Sequence, residues 1–391
     1  MKNMLSTDKG CAWLTNGVHF RPSAQESGYV TSCCRMTYRH KDLEEMLDKA
    51  VNDPTYSYEN LKDTSCSRCR IAEESNVTSL RQQGFGRTGV KYPPGKLVQI
   101  QAGFSSFCNL KCKYCGPAQS TSWNDEIEWA EENNIDLDFL ENKEITLRKE
   151  DTFKFELKLI EELRNADLRW LAHVGVFGGE PFMTRNFETF IDMLAEKTKL
   201  SNLQIQINTN ATIFPKQKIL DILCKFGKVD LRCSTEAVGN LAEYIRNGLN
   251  WNLFEKNTNK WMELSEQHTN IKTRIQATHT IWSINKVNEF DDWAKKSGYM
   301  GRVFDSWTYN PAIVNARQVL TEKQIEECKK IVESIYNVKT KDFICRQLNA
   351  KQVKMEEKHL LAFRKFTEVF DPRTKFTLKE VNPQLYSWTH N

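Results

Sequence analysis

Three cysteines close together constrain this chain more than any other feature. They lie in the run Gly103-Phe-Ser-Ser-Phe-Cys-Asn-Leu-Lys-Cys-Lys-Tyr-Cys-Gly116, so Cys108, Cys112 and Cys115 are spaced C-x3-C-x2-C. Three thiolates at that spacing suit one face of a cubane iron–sulfur cluster, because soft sulfur ligands select iron–sulfur or zinc. No fourth cysteine is nearby. A cluster held by three thiolates keeps one iron open, and that iron can take a small chelating ligand. The alternative is a zinc knuckle, which needs four ligands. Upstream, Lys96-Leu-Val-Gln-Ile-Gln-Ala102 alternates apolar and polar residues and reads as a strand. Downstream, Gly116-Pro117 breaks the chain, and Ser122 is placed to cap an acidic helix from Trp123 to Glu132. The cysteines therefore sit on a strand-to-helix loop, where α/β barrels place their chemistry.

A second motif follows one strand–helix unit later. Trp170-Leu-Ala-His-Val-Gly-Val-Phe177 is a buried-strand run ending in Gly178-Gly179-Glu180-Pro181. The glycines let the backbone approach a ligand closely, and Glu180 offers a carboxylate to an ammonium. By itself the tetrapeptide also reads as an ordinary tight turn. Further strands are expected over Leu203–Asn210, Val229–Glu236, Arg274–Ile281 and, more weakly, Arg302–Tyr309, with helices near Lys216–Phe226 and after Glu236. Strands alternating with helical patterns indicate βα units and a parallel sheet.

The cysteine triad, with Tyr114 before its last member, and the Gly-Gly-Glu-Pro turn together resemble the radical S-adenosylmethionine (SAM) superfamily. The resemblance implies an α/β fold built on a partial (β/α)6 TIM-type barrel. It also implies a 4Fe–4S cluster on Cys108, Cys112 and Cys115, and S-adenosylmethionine on its open iron. Gly178, Gly179, Glu180 and Pro181 would bind the methionine amino group. Ser234 and Arg246 would hold the ribose and carboxylate, with Glu236 as a ribose hydroxyl acceptor. Asn208 and Asn210 are weaker candidates, since Asn at a strand end is common turn chemistry. Arg246 also reads as a solvated helix residue.

Ahead of the barrel lie Cys11, the adjacent pair Cys33 and Cys34, and Cys66-Ser-Arg-Cys69, followed by Glu73 and Ser79-Leu-Arg81. This set resembles the twitch module, half of a SPASM domain, which binds an auxiliary 4Fe–4S cluster. Here it lies N-terminal, as in the twitch-domain-containing radical SAM proteins, and Phe366–Thr374 resembles the tail of that group. Cys11, Cys33, Cys66 and Cys69 would then be the ligands. Cys34 is the alternative to Cys33, since adjacent residues of an extended chain point apart. A ribbon-type zinc site fits the same spacing. The expected organisation is a Cys-rich module over 1–92, the barrel over 93–320 and a mostly helical extension over 321–391. That extension would have helices over Thr321–Tyr336 and Arg346–Phe370 and a closing strand near Phe376–Val381. Linkers are expected at Gln82–Gly95 and Tyr309–Arg317.

Composition bounds the rest. A net charge of +4, with basic and acidic residues interspersed, gives no nucleic-acid signature. No apolar stretch is long enough to span a membrane, no secretory signal is visible, and the cysteine spacing is metal-like, so a cytoplasmic protein without disulfides is expected. Cys224, Cys233, Cys328 and Cys345 are expected to be structural. The resemblance implies an enzyme, of oxidoreductase or transferase class, that cleaves S-adenosylmethionine to a 5′-deoxyadenosyl radical. A low-potential donor of flavodoxin or ferredoxin type would supply the electron. The radical would take hydrogen from a substrate, a peptide or protein as for a maturase, or alternatively a small metabolite. A non-catalytic protein that binds a cluster or zinc is the third reading.

Overall fold

The computed structural model describes residues 11–22, 28–33, 39–74, 79, 95–140, 148–350 and 353–391. In chain order its strands are β1 (Gly17–Arg21), β2 (Tyr29–Thr31), β3 (Gln99–Gly103), β4 (Lys111–Cys112), β5 (His173–Phe177), β6 (Gln204–Thr209), β7 (Lys228–Ser234), β8 (Arg246–Asn247), β9 (Ile271–His279) and β10 (Val303–Trp307). Helices intervene between β3, β5, β6, β7, β9 and β10, the alternation expected for six βα units. Pairing is mostly parallel, an α/β arrangement consistent with a TIM-type partial barrel. Two compact units divide the chain. One comprises Met1–Ser106, Leu147–Ile207 and Pro215–Val229, and the other Phe107–Thr146, Asn208–Phe214 and Asp230–Asn391.

In the first unit β1 runs parallel to β3, β3 to β5, and β5 to the start of β6, while β2 closes on β1 antiparallel. Alternation produces this sheet. Val18, Phe20, Ile100, Ala102, Val174, Val176 and Ile205 point to one fully buried face. Phe187, Phe190, Ile191 and Leu194 of helix Arg185–Lys197 are fully buried, and the rings of Phe187 and Phe190 meet Phe104 just beyond β3. The strands β1 and β2 in the Cys-rich N-terminal segment were not anticipated from the sequence. β5 starts at His173, because Arg169 and Trp170 form a turn before it, closed by Leu171 N–H on the Leu168 carbonyl.

His19 on β1 points to the opposite face, with its ring 5.2 Å from that of Phe177, and is buried there as well. It is 1% exposed, and desolvation, with the Arg21 charge adding, pushes its imidazole down to about 3. The native protein therefore keeps His19 neutral where the unfolded chain binds a proton below about 6.5. Stability contributed by the neutral ring is lost as pH falls through that window, at about 1.4 kcal/mol per pH unit. Between pH 7 and pH 5 the native chain should lose about 2 kcal/mol that His19→Gln does not lose. Melting curves of both proteins at the two pH values check this, and equal losses would acquit His19.

In the second unit β10 runs parallel to β9, and β7 lies on the other side of β9, with Thr235 N–H donating to Gln276 C=O. Four expectations for this unit need correction. The helix expected over Arg346–Phe370 is two helices, Val338–Leu348 and Glu357–Phe370. The closing segment is helix Leu378–Val381 rather than a strand, because Thr377 and Glu380 form a capping box that overrides its β-formers. The cap near Trp123 is Ser120, whose side chain accepts from Ser122 N–H at the start of a 3-10 turn leading into helix Asn124–Glu132. Tyr309–Arg317, expected as a linker, carries the short helical turns Ala312–Val314 and Ala316–Val319. Cys328 lies on a buried stripe with Ile325 and Val332. No helix among the described residues is long and apolar enough to cross a membrane.

Candidate functional site

The cysteine loop of the second unit is held by hydrogen bonds along its whole length. Ser122 Oγ donates to the Cys108 carbonyl at 2.6 Å, Ser120 Oγ to the Leu110 carbonyl at 2.7 Å, and Trp123 Nε1 to the Cys112 carbonyl at 3.2 Å. The sulfur of Cys108 accepts from Leu110 N–H at 3.5 Å and from Asn210 Nδ2 at 3.7 Å. Asn210 thus meets the loop, and its Nδ2 also donates to Asn109 Oδ1 at 2.9 Å. Cys108 and Cys112 are buried and Cys115 half-buried. A hydrogen bond with the Cys115 thiol, together with burial, raises the Cys112 pKa well above the ordinary thiol range. Donor set and environment fit a cluster: three thiols on one loop, with N–H groups directed at sulfur. Among the described residues no three His, Cys, Asp or Glu side chains are disposed to hold a single metal ion. A cubane gives each thiolate its own iron, so its ligands need not converge on one point.

A second strand segment pins this loop. β4 pairs antiparallel with β8, placing Cys112 opposite Arg246 and Lys111 opposite Asn247, and Lys113 N–H donates to the Ile245 carbonyl at 2.8 Å. Arg246, expected on a helix, instead ends helix Gly239–Ile245 and begins β8. Its guanidinium pairs with Glu236: Nη2 lies 2.7 Å from Glu236 Oε2, and the two residues are 4% and 1% exposed. Tyr114 Oη donates to the same Glu236 oxygen at 3.2 Å, with its ring 5.4 Å from the Arg246 guanidinium. Burial works against the Arg246 charge, but the Glu236 carboxylate beside it keeps the pKa above its ordinary value. Arg246 Nε and Glu236 Oε1 are buried and have no hydrogen-bond partner among the described residues. An unused donor and an unused acceptor beside the cysteine loop suit a ligand carrying both carboxylate and hydroxyl groups. Ser234 ends β7 half-buried, and Asn208 is half-buried on β6.

Between two of the cysteines, Lys113 is 3% exposed, a position that sequence reading missed. Its ammonium stands 3.9 Å over the Tyr244 ring and 3.4 Å from Asp371 Oδ1. Burial pushes it down to about 8, with Asp371 opposing. Lys111 and Arg373 both pair with Glu126, a carboxylate only 3% exposed. The available sequence signal was the Phe366–Thr374 run, which carries Asp371 and Arg373.

In the first unit Gly178 and Gly179 have φ of +84° and +54°, and Pro181 opens the 3-10 turn Pro181–Met183. Glu180 is fully buried, and its Oε1 accepts from Phe182 N–H at 3.1 Å. A Cβ on Gly178 would stand 2.9 Å from the Ser105 carbonyl oxygen. Crowding plus a left-handed backbone should make Gly178→Ala about 1–3 kcal/mol less stable, seen as a lowered melting temperature. An unchanged melting temperature would mean the turn can open to admit a side chain. The same unit gathers the N-terminal cysteines. Cys11, Cys33 and Cys66, with Cys69 at the edge, pack in one cluster with Trp13, Leu14, Tyr56, Tyr58 and Leu61. Burial pushes the Cys11 thiol up to about 12. Cys34 lies outside the described residues, as does Gln82–Pro94 of the expected linker.

Residues 103–275 match the family model described as Radical SAM superfamily. Among solved structures, native anSMEcpe with bound AdoMet and Cp18Cys peptide is 18% identical with a TM-score of 0.37, covering 60% of this chain and 58% of that one. Streptococcus suis SuiB bound to precursor peptide SuiA is 16% identical with a TM-score of 0.38, covering 96% and 78%. The chain spans about three fifths of the length of the anSMEcpe chains it matches. No curated protein sequence matches it.

Proposed function

We propose that this chain, whose residues 103–275 form a Radical SAM superfamily domain, is an enzyme that cleaves S-adenosylmethionine reductively and uses the resulting radical on a peptide or protein. Domains of this superfamily use a 4Fe–4S cluster and S-adenosylmethionine. When bound, the reduced cluster supplies the electron that breaks the S–C5′ bond, giving methionine and a 5′-deoxyadenosyl radical. The observation that carries the reading is the cysteine loop itself: three thiols on one backbone scaffold, tied by β4–β8 to the buried Arg246–Glu236 pair.

In this reading Cys108, Cys112 and Cys115 are the cluster ligands. Arg246 Nε, the donor without a partner, takes the carboxylate of S-adenosylmethionine, and Glu236 Oε1 accepts from a ribose hydroxyl. Tyr114 holds Glu236 in place through its hydroxyl. Gly178, Gly179, Glu180 and Pro181 serve the methionine amino group, Ser234 the ribose, and Asn208 is a lesser cofactor contact. The buried loop excludes water, which protects a radical from quenching. The gathering of Cys11, Cys33, Cys66 and Cys69 in one cluster supports an auxiliary 4Fe–4S site of twitch type, and with it the peptide or protein substrate. A flavodoxin- or ferredoxin-type protein supplies the electron.

The test is the yield of 5′-deoxyadenosine from anaerobically reconstituted, reduced protein given S-adenosylmethionine, with iron counted in the same samples. Cleavage with about eight irons per chain is expected, falling by about four in Cys66→Ala or Cys69→Ala. Zinc released instead of iron would overturn the auxiliary cluster, and no cleavage by fully loaded protein with candidate peptides present would overturn the activity.

A further inference from the structure

Of the two lysines that flank Cys112, Lys113 pairs directly with the C-terminal extension, and Lys111 shares its partner Glu126 with Arg373 of the same stretch. Lys111 precedes Cys112 on β4, and Lys113 follows it in the turn that Cys115 N–H closes on the Cys112 carbonyl at 2.9 Å. Lys113 meets Asp371, whose Oδ1 also accepts from Tyr244 Oη at 2.7 Å and whose Oδ2 accepts from Leu378 N–H at 2.6 Å. Lys111 meets Glu126, and Arg373 completes that pair while lying 3.8 Å over the Trp129 ring. Trp123, which donates to the Cys112 carbonyl, packs edge-on against Phe370 at 5.2 Å. Ammonium and carboxylate of the Lys113–Asp371 pair are 2% and 9% exposed, so water screens them weakly.

We infer that Asp371 is a positioning residue for the cluster loop, acting through Lys113, and that the charge balance of this buried pair sets the reduction potential of the cluster on Cys108, Cys112 and Cys115. The inference rests on the cluster assignment made above. Reduction adds a negative charge to the cluster. A nearby buried cation favours the reduced form and raises the potential, and a buried anion lowers it. The pair therefore holds the potential between two extremes, and each partner shifts it in the opposite sense.

The experiment is a redox titration of the reconstituted protein, followed by the EPR signal of the reduced cluster at pH 7. Lys113→Met should shift the potential down, Asp371→Asn should shift it up, and the double variant should return it close to the native value. A merely structural role predicts no such sign pattern, only partial iron loss or equal shifts. If a single variant takes up no cluster, the double variant decides, because it leaves no unpaired charge: it should load fully and titrate near the native potential. Fully loaded variants whose potentials do not move, or move in the same direction, overturn the inference and leave the proposed function intact. Native protein that takes up no cluster overturns the proposed function, and this inference with it.

Discussion

Cys112→Ala is expected to abolish S-adenosylmethionine cleavage and to strip the cluster, while leaving the apo fold in place. The two halves of that expectation have different causes. A cubane on three thiolates has one iron without a protein ligand already, so losing one thiolate leaves two irons without one, and assembly fails. Iron and acid-labile sulfide should drop by about four atoms each per chain, and 5′-deoxyadenosine should fall to background. The fold tolerates the change because a buried thiol behaves as a small hydrophobe, and trimming one atom costs about 1 kcal/mol. The loop does not depend on that sulfur for its shape: Trp123 holds the Cys112 carbonyl, and β8 pairs with its backbone. Cys233→Ala is the control, since Cys233 is equally buried on β7 and should keep the full cluster. Iron retained in Cys112→Ala, or lost in Cys233→Ala, would refute the ligand assignment.

The cysteine loop stood out because its spacing is local: C-x3-C-x2-C needs no knowledge of the fold. The βα alternation was legible for a related reason, since β7 and β9 overlap, and β10 lies within, the runs whose alternation marks them. What the sequence hid is long-range. The β4–β8 ladder is only two residues long on each side, too short for any periodic signal, yet it sets Cys112 opposite Arg246. Lys113 reads as a solvated lysine until the aromatic rings of Tyr244 and Phe366 close over it. Arg246 and Glu236 were separate candidates in the sequence, and the fold joins them as a buried ion pair. At the chain's end, β-formers in Phe376–Val381 suggested a strand, whereas Thr377 and Glu380 spend their side chains on capping a helical turn.

That Arg246–Glu236 pair carries the remaining large expectation. Removing one partner of a buried ion pair strands the other, and Glu236 is 1% exposed. Arg246→Ala should therefore destabilise the second unit by about 3–5 kcal/mol, enough to obscure any effect on the cofactor. Arg246→Lys separates the two roles. An ammonium can still neutralise Glu236, so most of the stability remains, but it lacks the planar fork that leaves Nε free for a second acceptor. S-adenosylmethionine affinity should fall by about tenfold or more, equivalent to about 1.4 kcal/mol, with the visible spectrum of the cluster unchanged. Titrating S-adenosylmethionine into reconstituted Arg246→Lys while following perturbation of the cluster EPR signal reads this directly. If the affinity equals that of the native protein, Arg246 serves only the fold, and the carboxylate of S-adenosylmethionine must be held by other residues. If affinity falls in Arg246→Lys but not in Glu236→Gln, the cofactor contact belongs to the guanidinium and Glu236 acts only to hold it in place. An equal fall in both variants would assign Glu236 Oε1 a contact of its own, as the unpartnered acceptor that a ribose hydroxyl would reach.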